Sequence, residues 1–170
     1  CSGVLHHMKN PTLGLKVLLK ILQPKGYIML GLYSELARKD IHKARDYIKH
    51  ESLNSDDEGI REFRKNVMST DFKSNHNIYK RPDFFSMSMC RDLCFHVQEK
   101  MFNIDKLIKI IRYNRMNFEG FILDEKIKSC YSKNFPEDIA QTNLENWLLF
   151  EERYPNTFQD MYQFWLSKAS

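Results

Sequence analysis

The sequence is poor in glycine and cysteine, and it contains no long apolar run. Its 6 glycines are isolated from one another, so no Gly-rich turn of the GxGxG type lies within the chain. The 4 cysteines include no CxxC pair, which favours a reducing compartment, and we expect the cytoplasm. Apolar stretches such as residues 17–22 and Tyr27–Tyr33 fall far short of the roughly 20 residues of a membrane span, so we expect no membrane partner.

Charge of one sign is not concentrated anywhere in the chain. The 26 Lys and Arg residues and 22 Asp and Glu residues give a net charge of +4 that is spread along the sequence. This distribution argues against a nucleic-acid partner, which needs a concentrated basic face. The length of 170 residues with 42% hydrophobic residues predicts one compact body. Because the sequence begins at Cys1 without a signal-peptide pattern, we expect that it was cut there or lacks residues at the front.

The opening of the chain predicts a strand end, a helix and a buried strand. Residues 3–5 suit a short strand end that runs into a loop. Asn10 is a suitable N-cap and Pro11 a suitable first helical residue for a helix that continues to Leu22. The continuous apolar run Tyr27–Tyr33 is typical of a strand that is covered on both faces in a parallel sheet.

The remainder of the chain is predicted to be mostly helical. Residues 35–67 have helical periodicity with a break at 52–57, where Ser55 and Glu58 have capping-box spacing. A loop is expected at 69–82. Ser86 is expected to begin one further helix, and Asn103 or Ile104 to open another. Residues 118–123 have strand-like composition, and two helical segments are expected after residue 136, the last of them rich in aromatic residues between 158 and 165.

Several segments together resemble class I S-adenosylmethionine-dependent methyltransferases. Residues 3–11 (GVLHHMKNP) and 22–27 (LQPKGY) are similar to the family's "GVLHH" loop after the fourth strand and its "LKPGG" turn before the fifth. Residues 90–99 and 161–165 look like a bacterial subgroup that is often fused to tetratricopeptide repeats. The resemblance covers essentially the whole chain and identifies it as the carboxy-terminal half of such an enzyme.

This resemblance implies an α/β fold. It would be an incomplete Rossmann-like methyltransferase sheet made of the carboxy-terminal strands, with a large helical insertion and a helical C-terminus. We expect a core remnant at 1–34, a helical insertion or cap at 35–117, and a final strand with C-terminal helices at 118–170, packed as one unit. The activity implied is methyl transfer from S-adenosylmethionine to an unidentified acceptor.

The family's cofactor site requires parts that the sequence does not contain. Class I enzymes hold the cofactor with a Gly-rich turn after the first strand and an acidic residue after the second. We therefore expect the chain alone to be inactive and not to bind S-adenosylmethionine. The alternative is a non-catalytic helical binding module derived from such an enzyme. In either case a homodimer or the missing N-terminal half would cover the exposed sheet edge.

The resemblance also implies residues of the site. Gly3, Val4, Leu5 and His6 would line the cofactor, and His6 or His7 would be the catalytic base, a role that suits a pKa near neutrality. Adjacent side chains cannot both point inward, so the alternative is that one histidine packs or caps the next helix while the other faces solvent.

Acceptor-facing residues are predicted in two places. Tyr33 and Ser34 end the predicted buried strand at its carboxyl edge, where ligands gather in open α/β sheets, although Tyr33 could equally complete the core. Arg91 and His96 are expected on a helical lid, or alternatively on a solvated helix face.

No metal site is predicted. Cys90 and Cys94 share a helix face near His96, but zinc sites draw four ligands from two well-spaced pairs and no second pair is evident.

Overall fold

The computed structural model describes residues 1–69, 77–96 and 99–168. The chain folds into two compact units, one made of Cys1–Ala37 with Gln98–Ser170 and the other of Arg38–Val97. In chain order the elements are α1 (Pro11–Ile21), β1 (Tyr27–Tyr33), α2 (Lys39–His50), α3 (Asp57–Met68), α4 (Met87–Phe95), α5 (Ile104–Tyr113), β2 (Met116–Phe121), α6 (Glu125–Asn134), α7 (Leu144–Arg153) and β3 (Met161–Lys168).

The first unit contains a three-stranded sheet in the order β1-β3-β2. The central strand β3 is antiparallel to both neighbours, so β1 and β2 run in the same direction. Leu30 is opposite Phe164 and Leu32 is opposite Tyr162, which fixes the face that packs into the core. The register between β2 and β3 shifts at a bulge between Phe118 and Gly120. The predicted α/β class is confirmed.

The final element corrects the sequence prediction. Residues 158–165 were predicted to end the chain as a helix, and this is wrong because Met161–Lys168 forms the central strand. Tyr162, Phe164 and Leu166 are 0%, 1% and 1% exposed, and their period of two is that of a strand with one buried face. The strand predicted at 118–123 is confirmed as β2, displaced by two residues.

Helices cover the face of the sheet that carries these buried residues. Trp147 on α7 stacks on Tyr131 of α6 with ring centroids 3.8 Å apart, and Phe121 meets Trp147 edge to face at 5.3 Å. Leu107 of α5 and Leu5 belong to the same cluster. The rigid aromatic layer therefore fixes α6 and α7 against β2 and β3.

Two predicted helix starts are confirmed. Asn10 accepts a hydrogen bond from the backbone N–H of Leu13 at 3.2 Å, with Pro11 at the first position of α1. Asn103 accepts one from the N–H of Lys106 at 2.9 Å at the start of α5. Each cap satisfies a donor that the helix cannot pair internally.

The second unit packs α2, α3 and α4 around a core of its own, centred on Ile41, Phe63 and Phe84. Asp56, rather than the predicted Ser55, caps α3 by accepting the N–H of Gly59 at 2.8 Å. The loop predicted at 69–82 lies partly outside the described residues, and its described part contains single 3-10 turns at Ile78–Lys80 and Pro82–Phe85.

An ion pair ties α2 to the segment before α4. Arg81 donates from Nε and Nη2 to the two carboxylate oxygens of Asp40, at 2.7 and 2.9 Å. Both side chains are largely shielded, with 20% and 18% of their surface exposed. Bidentate geometry and partial burial make this a stronger contact than an ordinary surface pair.

In the described part of the chain, no helix is both long and apolar enough to cross a membrane.

Candidate functional site

The opening residues lie beside β1 as a short parallel ladder. The nitrogen of Cys1 donates to the carbonyl of Met29 at 2.8 Å, the Gly31 N–H donates to Cys1 at 3.0 Å, and the Gly3 N–H donates to Gly31 at 3.2 Å. Ser2 and Gly31 form the parallel bridge. A Cβ on Gly31 would lie 2.1 Å from the Ser2 hydroxyl oxygen, so only glycine permits this approach.

The chain leaves the ladder through Gly3, whose φ of +74° turns it away from the strand direction. Leu5–His7 then form a single 3-10 turn, closed by the N–H of Met8 donating to Leu5 at 3.1 Å. This turn delivers two adjacent histidines to the carboxyl end of β1.

The two histidines surround Tyr33, the last residue of β1. The His6 ring is fully buried and stacks on Tyr33 with centroids 3.6 Å apart and planes 25° apart. The half-buried His7 ring meets Tyr33 edge to face at 5.6 Å and His6 at 4.4 Å. Both predicted histidines and the predicted Tyr33 therefore lie together.

A returning segment of the chain secures this edge. The Lys100 N–H donates to the His6 carbonyl at 2.7 Å, and the Phe102 N–H donates to the Tyr33 carbonyl at 2.9 Å. The Glu35 N–H in turn donates to the Phe102 carbonyl at 2.7 Å, so Ser34 and Phe102 form a parallel bridge. Lys100 and Phe102 thus bond the backbone of both the Leu5–His7 turn, here called the histidine turn, and the end of β1.

Ser34 is buried and begins a chain of hydrogen bonds that the sequence did not predict. Its hydroxyl oxygen accepts the N–H of Ala37 at 3.2 Å, and the hydroxyl also hydrogen-bonds the phenol of Tyr162. The Tyr162 hydroxyl donates to both carboxylate oxygens of Glu151, at 2.8 and 3.0 Å. The turn that follows β1 is thereby linked through β3 to α7.

Burial sets the protonation of this buried pair. Burial raises the pKa of Glu151 to about 7, although the hydrogen bond from Tyr162 acts in the opposite direction. Burial, followed by the neighbouring Glu151, also raises the pKa of Tyr162, so the phenol stays protonated and remains a donor. Neither residue was predicted from the sequence. The spacing of Tyr162, Phe164 and Leu166 at every second position is a sequence signal for a strand face that includes Tyr162, whereas Glu151 stands among charged neighbours and has no local signal.

One cavity lies at this end of the sheet, and a second cavity adjoins it. The edge cavity, of about 360 Å³, is lined by residues just after β2, among them Ile122 and Asp124, and by Met161 and Gln163 of β3. The sulfur of Met161 is also 3.7 Å from the Ser2 hydroxyl, which connects this cavity to the ladder of opening residues.

The outer cavity measures about 370 Å³ and lies between α6, the end of α7 and the segment that follows it. Ile127 and Thr157 line both cavities, so the two share a wall. The outer cavity is mostly apolar, with Phe150 among its lining residues, and it carries two cationic side chains, Lys126 and Arg153.

The remaining predicted residues differ in their surroundings. Val4 is 53% exposed, whereas Leu5 is 4% exposed and belongs to the core. Arg91 and His96 lie in the second unit. There Arg91 donates to the carboxylate of Asp57 at 2.6 Å and to the carbonyl of Ser55 at 2.9 Å.

The cysteines of α4 are buried side by side. Cys90 and Cys94 are 0% and 2% exposed, and their thiols hydrogen-bond each other. That bond, followed by burial, raises the pKa of Cys94, which keeps its thiol protonated. Among residues 1–69, 77–96 and 99–168, His, Cys, Asp and Glu side chains form no group of three or more that could hold a metal ion.

Comparison with known proteins gives the fold but not the family. No protein-family model matches the sequence. An uncharacterized protein of Synechococcus sp. is 28% identical over 130 residues, which cover 71% of this chain and 31% of that protein. The structure of PKMT2 from Rickettsia typhi, a protein lysine methyltransferase, matches with a TM-score of 0.65 at 14% identity. Its complex with AdoHcy matches with a TM-score of 0.58 at 15% identity.

Both structural matches cover 100% of this chain and 36% of PKMT2. The chain thus spans about a third of the length of the proteins that it matches. It has a methyltransferase-like α/β fold, in agreement with the fold that the opening motif implied.

Proposed function

We propose that the chain is part of an S-adenosylmethionine-dependent methyltransferase and supplies the wall of the site that faces the transferring methyl group. The observation that carries this proposal is the parallel ladder between Cys1–Gly3 and β1. It directs Gly3, His7 and Tyr33 to one carboxyl edge, the edge at which open α/β sheets bind ligands. The likeness of the fold to PKMT2 in its AdoHcy complex supports the same assignment.

The residues at this edge fit one side of a nucleoside cofactor. No atom lies within 4 Å of a Cβ built on Gly3, so its backbone borders open space and a ligand can approach it closely. Gly3, Val4 and the histidine turn would line the cofactor, whose sulfonium supplies an electrophilic methyl group. A Gly-rich turn of the GxGxG type is absent from the sequence, so we expect the chain alone to bind the cofactor weakly or not at all.

Between the two histidines, the geometry favours His7 as the base. The His6 ring is buried against Tyr33 and therefore orients that residue, whereas the His7 ring is only half-buried. When bound, S-adenosylmethionine would supply the methyl group, and its bond between the methyl carbon and sulfur would break to leave S-adenosylhomocysteine as the acceptor's lone pair takes that carbon. His7 would take the proton that the acceptor loses. The roles of Arg91 and His96 at the acceptor stay a prediction.

We further propose that the acceptor is a lysine side chain of a polypeptide. PKMT2 is a protein lysine methyltransferase, and the edge cavity here has a size and lining that suit such a side chain. Ile122 and Met161 offer apolar contacts to the aliphatic stem, and Asp124 offers a carboxylate to the ammonium group.

Calorimetric titration with S-adenosylhomocysteine tests the proposal. We expect binding by the complete protein that the gene encodes and none by the 170-residue chain. We also expect His7→Gln to reduce methyl transfer to a lysine peptide by about a hundredfold while binding of S-adenosylhomocysteine is retained. The matched control is His50→Gln, since His50 has 83% of its side chain exposed in the second unit.

Two results would contradict these assignments. Micromolar binding by the 170-residue chain would show that the cofactor site is complete without the missing parts. Absence of binding by the complete protein would instead favour the alternative, a non-catalytic module.

A further inference from the structure

We infer that the outer cavity binds an acidic side chain of the polypeptide acceptor, close in sequence to the residue that is methylated. This inference rests on the proposed function, because it takes the edge cavity as the place of the acceptor side chain. It adds a recognition subsite and a sequence preference that neither the resemblance nor the comparisons supply.

The continuity of the two cavities supports a chain-like ligand. Ile127 and Thr157 form part of both walls, so a ligand can pass from the edge cavity to the outer cavity without leaving the surface. With volumes of about 360 and 370 Å³, each cavity can take one amino-acid side chain. An extended peptide presents neighbouring side chains at regular intervals and therefore suits two compartments better than one compact small molecule does.

The charges of the outer cavity select the side chain. Its lining residues include Lys126 and Arg153 and no carboxylate. Arg153 donates from Nη1 to the side-chain oxygen of Asn134 at 2.8 Å, and because a guanidinium has five N–H donors, others remain for a ligand carboxylate. Near Lys126, Asp124 lines the edge cavity and Glu125 pairs with Lys128 at 3.1 Å. Beside Arg153, Glu151 accepts from Tyr162 and the exposed Glu152 is not among the lining residues of the outer cavity.

The floor of the cavity is complementary to the rest of such a side chain. Phe150 is buried beneath the cavity, and Ile127 and Pro155 provide further apolar surface. The methylene groups of a glutamate can lie on this surface while its carboxylate reaches the two cations. The two cavities thus carry opposite charges, with Asp124 in the edge cavity and Lys126 and Arg153 in the outer one.

Fluorescence anisotropy with labelled peptides tests this inference on the 170-residue chain. Each short peptide carries one lysine, and a single glutamate is moved stepwise along either side of it against a Ser/Gly background. We expect tightest binding at one offset, and about fivefold weaker binding when glutamine replaces glutamate there. The variant Lys126→Glu should lose this preference and favour a peptide with arginine at the same offset.

Lys133→Glu is the matched control, because Lys133 is an exposed lysine of the same helix outside both cavities. It makes the same change in net charge and should leave the preference for glutamate intact. Unfolding curves of the two variants confirm that each is folded.

Three outcomes would overturn the inference. If the glutamate and glutamine peptides bound with equal affinity at every offset, the outer cavity would not bind an acidic side chain. If Lys126→Glu and Lys133→Glu weakened binding equally, the preference for glutamate would reflect net charge alone. If free glutamate bound as tightly as the peptide, the ligand would be a small anion rather than a polypeptide. None of these results depends on methyl transfer, so loss of the subsite leaves the proposed function standing, and lack of cofactor binding by the complete protein rejects that function independently.

Discussion

Glu151 should make the stability of the sheet-containing unit depend on pH. Replacing it with glutamine keeps a carbonyl oxygen that can accept the hydrogen bond of Tyr162 but removes the charge. The raised pKa of Glu151 means that the folded state keeps the carboxyl proton at pH values where the unfolded chain has released it. The wild-type protein therefore loses stability as pH rises from about 4.5 to about 7, and above that range the loss is complete.

The size of the effect follows from the two pKa values of Glu151. A rise from 4.5 in the unfolded chain to about 7 in the folded protein corresponds to about 3 kcal/mol. We expect Glu151→Gln and the wild type to have similar pH dependence below about 4.5, and the variant to gain about 3 kcal/mol relative to the wild type above about 7. Urea unfolding at a series of pH values, followed by the fluorescence of Trp147 and Trp165, measures this difference.

Glu152→Gln provides the matched control. Glu152 is the next residue of α7 and is exposed, so its replacement removes a carboxyl group from the same helix without changing the buried pair. Its difference from the wild type should stay nearly constant with pH. If the difference between Glu151→Gln and the wild type also proved constant between about pH 4.5 and 7, burial would not control this carboxyl group and the reasoning would be refuted.

Two further predictions concern packing. Gly31→Ala should destabilise the sheet by about 1–3 kcal/mol and speed hydrogen exchange of the Gly3 amide, because the new Cβ overlaps Ser2. Ser2→Gly in the same chain should restore part of the protection measured by NMR, and full protection in Gly31→Ala alone would contradict the ladder. Arg81→Lys should cost the second unit about 1–2 kcal/mol in urea unfolding followed by circular dichroism, since lysine cannot bind both carboxylate oxygens. Arg61→Lys should cost little because its ion pair is 68% and 61% exposed, and equal losses would contradict the stronger role of Arg81.

The features that sequence analysis predicted are those encoded by local patterns. The Asn10 and Asn103 caps each depend on residues within the first turn of a helix. The prediction of β1 depends on one continuous run, Tyr27–Tyr33. The histidine turn was located because its motif is contiguous. Predictions from such patterns were correct because the contacts that they encode are between neighbours in sequence.

The features that sequence analysis missed depend on distant pairings. The aromatic segment of β3 was predicted to be a helix because its pairing with β1 and β2 was not known. That pairing determines which face of β3 is buried. The bond between Tyr162 and Glu151 joins a strand to a helix, and nothing in the run Glu151, Glu152, Arg153 distinguishes the buried carboxylate from the exposed one. The outer cavity likewise arises only where α6, α7 and the segment after α7 converge.

The hydrogen bond between Glu35 and Phe102 brings together two points that are far apart in sequence. The segments of the sheet-containing unit that flank residues 38–97 in sequence are therefore bonded to each other. An interruption with such closely spaced ends imposes little strain on its host, so evolution can lengthen, shorten or exchange the intervening helices while the neighbouring strands keep their alignment.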